Sequence, residues 1–446
     1  MNIVIPKPVN EVLNLLYEKD YDGYITGGAI RNMVMEEKPK NYNISTNASL
    51  EEVKKCLKGY NTFLKGENKS TLGIVNTKFP MEITKYKSKA NTLESDLQER
   101  DFTMNALAYS DEDGLIDYFD GIKDINNKVI KVIGNAEERF TKEPIIMLRA
   151  IRLSSEYDMA IDQDTKMAMF ECAELLKKVK PESLKDEFDK LLVSHNGHYS
   201  SAYYIKKYFE IMINIIPELS LMEGFEQENP HELYDVLNHT MLTVKSIEPT
   251  LELRLAMLLH DIAKPLTFEK NENGIGTFKN RGVRGAEMAR EIMRRMHYSN
   301  KQVQKVAKLI EYLEEKVPEK EQDLKRFINS VGPENVEDLF KCKRANFAGQ
   351  NTKYSEIGNR IDEDYERVKK MMRKSSFITK NELKIDGHDL LDLGVEQENV
   401  GNTLQDMYVK VLGNELKNKR EKLIDYVINK VIVPNDQKEL NKKVEI

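Results

Sequence analysis

The chain is poor in cysteine, with only Cys56, Cys172 and Cys342 in 446 residues. They are far apart and odd in number, which argues against a disulfide framework and offers no zinc-ligand spacing. Reduced thiols of a cytoplasmic protein fit this usage. Long apolar runs are also missing. No window approaches the ~18 uninterrupted apolar residues of a membrane-crossing helix, so no membrane partner is expected. Met1 to Asn14 lacks a basic segment followed by an apolar core and cleavage site, so secretion is not expected either. There is no excess of positive charge, since the net charge is −6. A global balance of that sign does not exclude RNA, whose recognition depends on local basic surface. No internal repeat and no long low-complexity segment interrupts the chain.

What is present points to a folded, helix-rich protein of two to four domains, with 40% hydrophobic and 32% charged residues. Residues 1–120 alternate short strand-like and helical runs. Strands are expected at Tyr24–Ile25, Tyr42–Ile44, Gly73–Asn76 and Met81–Tyr86, with helices near Ala29–Met35 and Leu50–Leu57. From about Asn135 the pattern becomes helical, as in Ile145, Met147, Leu148, Ile151 and Leu153. Breaks are expected at Gly224–Pro230 and Lys374–Asn381. Basic stretches occur at Lys301–Lys308, Lys341–Arg344, Arg367–Lys374 and Lys417–Lys422. Taken singly, each reads as a solvated helix face.

The first motif is Tyr24-Ile25-Thr26-Gly27-Gly28-Ala29-Ile30-Arg31, a strand, a Gly-Gly turn and a helix. Gly27 and Gly28 let backbone approach a phosphate closely, the helix N-terminus offers free N–H groups, and Arg31 adds a bidentate cation. Next come Asn41-Tyr42-Asn43 on a strand, where residues two apart share a face, and Glu82 on a neighbouring strand. Arg100-Asp101-Phe102-Thr103-Met104-Asn105-Ala106-Leu107 follows. Together these segments resemble the class II tRNA nucleotidyltransferases (CCA-adding enzymes) and bacterial poly(A) polymerases. The resemblance continues through Asp117–Ile125, Glu138-Arg139-Phe140 and Met147–Arg152. It extends through Asn229–Thr240 and Leu258–Pro265, which resemble an HD domain, and Ile385–Gly394, which resembles the RNA-contacting tail. In order, the matches span about residues 20–425.

The resemblance implies an α+β protein: a small mixed α/β nucleotidyltransferase head (1–134), then an all-α neck (135–224), an HD-like body (225–374) and a helical tail (375–446). It implies Mg²⁺, ATP or CTP, and tRNA as cofactor and partners. The metal carboxylates would fall at Asn41, Asn43 and Glu82. The nucleotide-binding set would be Gly27, Gly28, Arg31, Arg100, Asp101, Asn105, Arg139, Glu143, Arg149 and Arg152. His239, His260 and Asp261 would be the HD metal ligands.

The departures from this pattern are concentrated in the chemistry. The family's Asp-x-Asp is Asn41-Tyr42-Asn43, and the aspartate after Arg31 is Asn32. Asparagine brings no charge to offset Mg²⁺ dehydration. The base-reading Glu-Asp-x-x-Arg is Lys142-Glu143-Pro144-Ile145-Ile146, and an isoleucine has no donor for a base edge. In the HD segment a histidine is Arg281 and the closing aspartate is Asn346. The segment between Tyr86 and Asp96 is shorter than the family's flexible loop. The expectation is a CCA-family protein that keeps tRNA binding and has lost or nearly lost catalysis. Two other readings stay open. One is an active enzyme drawing on Glu36, Glu37 or Asp101. The other is an interaction protein, self-associating or paired with an active paralogue. Arg344, Arg367, Lys369 and Lys370 are expected to be exposed RNA contacts.

Overall fold

Ile25 and Ile44 are fully buried, and so are Thr26, Ser45 and Thr46 beside them. Such near-continuous burial marks central strands covered on both faces, and these runs form the middle of the head's sheet. In this computed structural model the described residues are 3–66, 70–75, 78–230, 232–348, 355–374, 382–412 and 415–429. The side chains at 355–357, 374 and 412 are not among them. Asn76, His231 and the expected break at 375–381 lie outside the described residues.

Seven strands form one sheet: β1 (Tyr24–Thr26), β2 (Tyr42–Thr46), β3 (Thr62–Lys65), β4 (Thr71–Ile74), β5 (Met81–Lys85), β6 (Leu107–Ser110) and β7 (Gly114–Asp117). Their order is β3-β4-β5-β2-β1-β6-β7. Within this sheet, among the described residues, only β2 and β5 run parallel, with Asn43 opposite Glu82. The connection between them carries the helix Leu50–Cys56 and the hairpin β3–β4. Ser49 caps that helix reciprocally with Glu52, which satisfies its first free N–H groups. β3, β6 and β7 were not among the expected strands.

Gly27 has a φ of 71° as the strand turns into the helix Gly28–Val34. A Cβ there would also sit 3.2 Å from the Arg100 guanidinium. Both facts favour glycine at this turn.

Two compact units divide the chain, Met1–Pro217 and Glu218–Ile446. Besides the sheet, the first contains the helices Ala136–Lys142, Ile145–Tyr157, Gln163–Glu171, Pro181–Val193 and Ser201–Lys207. Its longest buried face belongs to Ile145–Tyr157, where Ile146, Met147, Leu148, Ala150 and Ile151 are all buried. Among its described residues the second unit is helical apart from a short hairpin, Phe268–Lys270 with Gly276–Phe278. A separate apolar cluster around Leu390, Met407, Leu423 and Val427 holds its C-terminal helices together. No helix among the described residues is long and apolar enough to cross a membrane.

Candidate nucleotidyl-transfer site

One row crosses the sheet side by side: Thr26 of β1, Asn43 of β2, Glu82 of β5, Gly73 of β4 and Phe63 of β3. Residues paired in register point to the same face. Asn43 and Glu82 therefore share one face, as the motif implied. Asn41 lies one residue before β2 and is exposed, outside the strand expected to carry it. Glu82 is not a free carboxylate. The ammonium of Lys65, on β3, lies 2.5 Å from its Oε1. Between them in the Glu82 row stands Gly73, which has no side chain, and the Phe63 ring lies over it.

This geometry tests the fit of two Mg²⁺ ions. Such hard ions bind anionic oxygen and keep a strict octahedral shell. Two neutral carboxamides and one carboxylate already matched by an ammonium do not supply that charge. Glu36 and Glu37 are exposed in the turn after the helix Gly28–Val34.

Beside this face the polar groups form a connected chain. Arg31 donates to Asn105 Oδ1 at 2.7 Å, to Asn32 Oδ1 at 2.8 Å and to the Tyr157 hydroxyl at 2.7 Å. Its guanidinium also lies 4.6 Å from the Tyr157 ring centre. All three acceptors are neutral, so Arg31 keeps its charge for an anion near the Gly-Gly turn. Asn105 then donates to Asp101 Oδ1 at 2.8 Å, and Arg149 Nη1 donates to Asp101 Oδ2 at 2.8 Å. Burial by itself would raise the Asp101 pKa. The charge of Arg149 and the Asn105 hydrogen bond outweigh it and hold the carboxyl below the usual range. Glu187 accepts from Arg149 Nε at 3.4 Å and from Arg152 Nε at 2.6 Å. Asp101 is thus committed to Asn105 and to Arg149 of the helix Ile145–Tyr157, and is not positioned as a replacement metal ligand.

Arg100 is turned inward. It donates to Thr26 Oγ1 at 2.9 Å, Ser45 Oγ at 2.8 Å and the buried carboxylate of Asp96 at 3.1 Å. Arg139 holds the backbone carbonyls of Glu99 and Arg100. Both arginines brace the segment that carries Asp101 and Asn105. Glu143 is exposed at the end of a helix, and Ile146 is buried with 1% exposure. The base-reading arginine position therefore faces the core. Asp96, Tyr157, Glu187 and Lys65 were not singled out from sequence. Asp96 carries one readable signal, its i,i+4 spacing from Arg100.

In the second unit, the His239, His260 and Asp261 ligand atoms all lie within 4.8 Å of one another. Each is engaged by protein. Lys264 Nζ lies 2.6 Å from Asp261 Oδ2 and donates to Gln227 Oε1 at 2.6 Å. His239 Nε2 lies 2.9 Å from Asn346 Oδ1, and Asn346 donates to Glu314 at 2.7 Å. Arg281 ion-pairs with Glu314 at 2.8 Å. Burial lowers the His239 pKa, so its approaches to Asp261 and Glu232 at neutral pH are not ion pairs. The two departures in the HD segment are therefore joined through one carboxylate, and Lys264 supplies cationic charge beside Asp261.

Comparison with known proteins follows the same division. A Poly A polymerase head domain model matches residues 23–131, a "probable RNA and SrmB-binding site of polymerase A" matches 158–222, and an HD domain matches 236–345. Over these segments the chain is similar to poly(A) polymerases, and along most of its length it is similar to CCA-adding enzymes. The CCA-adding enzyme of Limosilactobacillus reuteri (strain DSM 20016) is 32% identical over 204 residues, 43% of this chain and 50% of that protein. In such alignments the chain spans about half the length of its relatives. The CCA-adding enzyme of Lactobacillus johnsonii is 25% identical over 442 residues, 93% of this chain and 95% of that one. The fold is that of the Bacillus stearothermophilus CCA-adding enzyme in complex with CTP, with TM-score 0.61, 22% identity and coverage of 98% and 100%. It is also similar to the Thermotoga maritima CCA-adding enzyme complexed with tRNA, with TM-score 0.53, 19% identity and coverage of 95% and 96%.

Proposed function

We propose that this protein binds tRNA 3′ ends, retains a place for ATP or CTP, and has lost or nearly lost nucleotidyl transfer. The observation that carries the reading is the register pair Asn43–Glu82. A neutral amide stands where an anionic metal ligand is required, and Asn41 adds no charge beside it. In two-metal phosphoryl transfer the ions would activate the 3′-hydroxyl and stabilise the departing pyrophosphate. The protein side chains that remain supply neither function. Arg31, at the Gly-Gly turn and hydrogen-bonded to neutral groups, supports a nucleotide-phosphate contact without turnover. Structural relatives solved as complexes with CTP, ATP and tRNA support the same ligand classes.

The test pairs two measurements on one sample. A gel shift with tRNA lacking its terminal CCA should show binding, and labelled CTP or ATP should not be incorporated. Incorporation at the level of an active relative would overturn the loss of catalysis. Absence of any shift at low salt would overturn the RNA reading and favour an interaction protein.

A further inference from the structure

We infer that Lys65 is a competing cation that weakens divalent-metal binding at Glu82, beyond the loss of carboxylates at 41 and 43; this rests on the catalytically impaired reading above. Glu82 is the remaining acidic member of the row, and its Oε1 lies 2.5 Å from Lys65 Nζ. The pair bridges two strands that are not neighbours, since β4 runs between β3 and β5. The register explains how this is possible. Lys65 and Phe63 are two residues apart on β3 and so share the face of Glu82, through the pairings Phe63–Gly73 and Gly73–Glu82. Gly73 places no side chain between them. A Cβ at 73 would stand 2.4 Å from the Phe63 ring, so a larger residue there would displace β3 side chains from this face.

The consequence is competitive. A dication bound by Glu82 must displace an ammonium already in hydrogen-bond contact, or sit beside it and be repelled. The two side chains are 57% and 30% exposed, so the pair is an exchangeable surface ion pair and adds little to stability. Its effect falls on the next cation to arrive. Restoring the two aspartates while leaving Lys65 in place therefore restores the metal site incompletely.

The test is Mn²⁺ binding followed by electron paramagnetic resonance, which reads the ion without activity. Four full-length proteins are compared: wild type, Asn41→Asp/Asn43→Asp, that double variant with Lys65→Met, and the double variant with Lys65→Arg. Methionine keeps the apolar stem and removes the charge, and arginine keeps the charge. The Lys65→Met triple variant should bind Mn²⁺ about tenfold more tightly than the double variant, or better. The Lys65→Arg triple variant should match the double variant, which also controls for a damaged strand. Equal Mn²⁺ affinity with lysine and methionine at 65 overturns the inference. A wild type that incorporates CTP or ATP overturns the reading beneath it, and the comparison of double and triple variants distinguishes that failure from failure of the Lys65 claim.

Discussion

At the scale of single residues, the hold of the segment around Asp101 on the helix Ile145–Tyr157 depends on a few largely buried charges. Asp101 has its carboxyl held below the ordinary value by Arg149 and Asn105, against the opposing effect of burial. A depressed carboxylate contributes stability above its unfolded pKa and loses it as pH falls through the folded value. Asp101→Asn should therefore lower unfolding free energy by about 2 kcal/mol at neutral pH, the order expected when a buried charge loses its partner. The gap from wild type should close as acid passes below the ordinary aspartate range. Urea denaturation at several pH values checks both the size and the sign. Ile146→Arg gives a second expectation. Restoring the family's arginine at this position would not restore base reading. Ile146 is buried on the helix Ile145–Tyr157, so the charge would enter the core and cost about 3 kcal/mol or more. Thermal melting should show a large loss for Ile146→Arg and a small one for Ile146→Val.

At the scale of elements, much was legible in sequence. The Gly-Gly turn, β1, β2, β5 and the two flanking helices fall within a residue or two of the expected positions. Their signals are local: buried isoleucines, a glycine with positive φ, a reciprocal helix cap. β3 has one half-buried residue and three exposed ones, so it lacks the alternation that marks a strand. β6 lies inside the motif beginning at Arg100, where the unbroken Ala106-Leu107-Ala108 masks strand period. The Lys65–Glu82 pair was not legible, because it depends on which strands become neighbours. The HD departures were seen singly, but Glu314, which joins Arg281 and Asn346, carried no sequence signal. Lys264 anchors that centre. Lys264→Ala would leave Asp261 and Glu232 buried with less counter-charge, and should destabilise the second unit by about 3–5 kcal/mol. Limited proteolysis should then cut the second unit first. His239 adds a pH effect of defined sign. Its pKa is lowered by burial, so the unfolded chain takes its proton first, and stability should fall as pH drops below the ordinary histidine value.

At the scale of the whole molecule, the candidate RNA surface needs revision at two of its four expected residues, Arg367 and Lys369. Arg367 was expected to be exposed, but it donates to the Pro318 carbonyl at 2.8 Å and the Val317 carbonyl at 3.3 Å. Reversing it would damage the fold and confuse the test. Lys369 is half-buried, over the Tyr365 ring, whereas Arg344, Lys370 and Arg373 are exposed. The triple reversal Arg344→Glu/Lys370→Glu/Arg373→Glu should weaken tRNA binding while leaving the melting temperature near wild type. For each phosphate contact neutralised, the log–log dependence of affinity on salt should have a slope of about −0.7 to −0.9. An unchanged affinity at low salt would assign these side chains to solubility alone.

On the proposed reading the head no longer supports nucleotidyl transfer, because Asn43 stands in register beside a Glu82 already paired with Lys65, and Asn41 before β2 adds no charge. The most direct measurement is incorporation of labelled CTP and ATP into tRNA lacking its terminal CCA. It should be followed across a range of Mg²⁺ and Mn²⁺ concentrations, beside an active CCA-adding enzyme. Background incorporation by this protein is expected at every metal concentration, on tRNA that it binds. Metal-dependent incorporation approaching that of the active relative would contradict it.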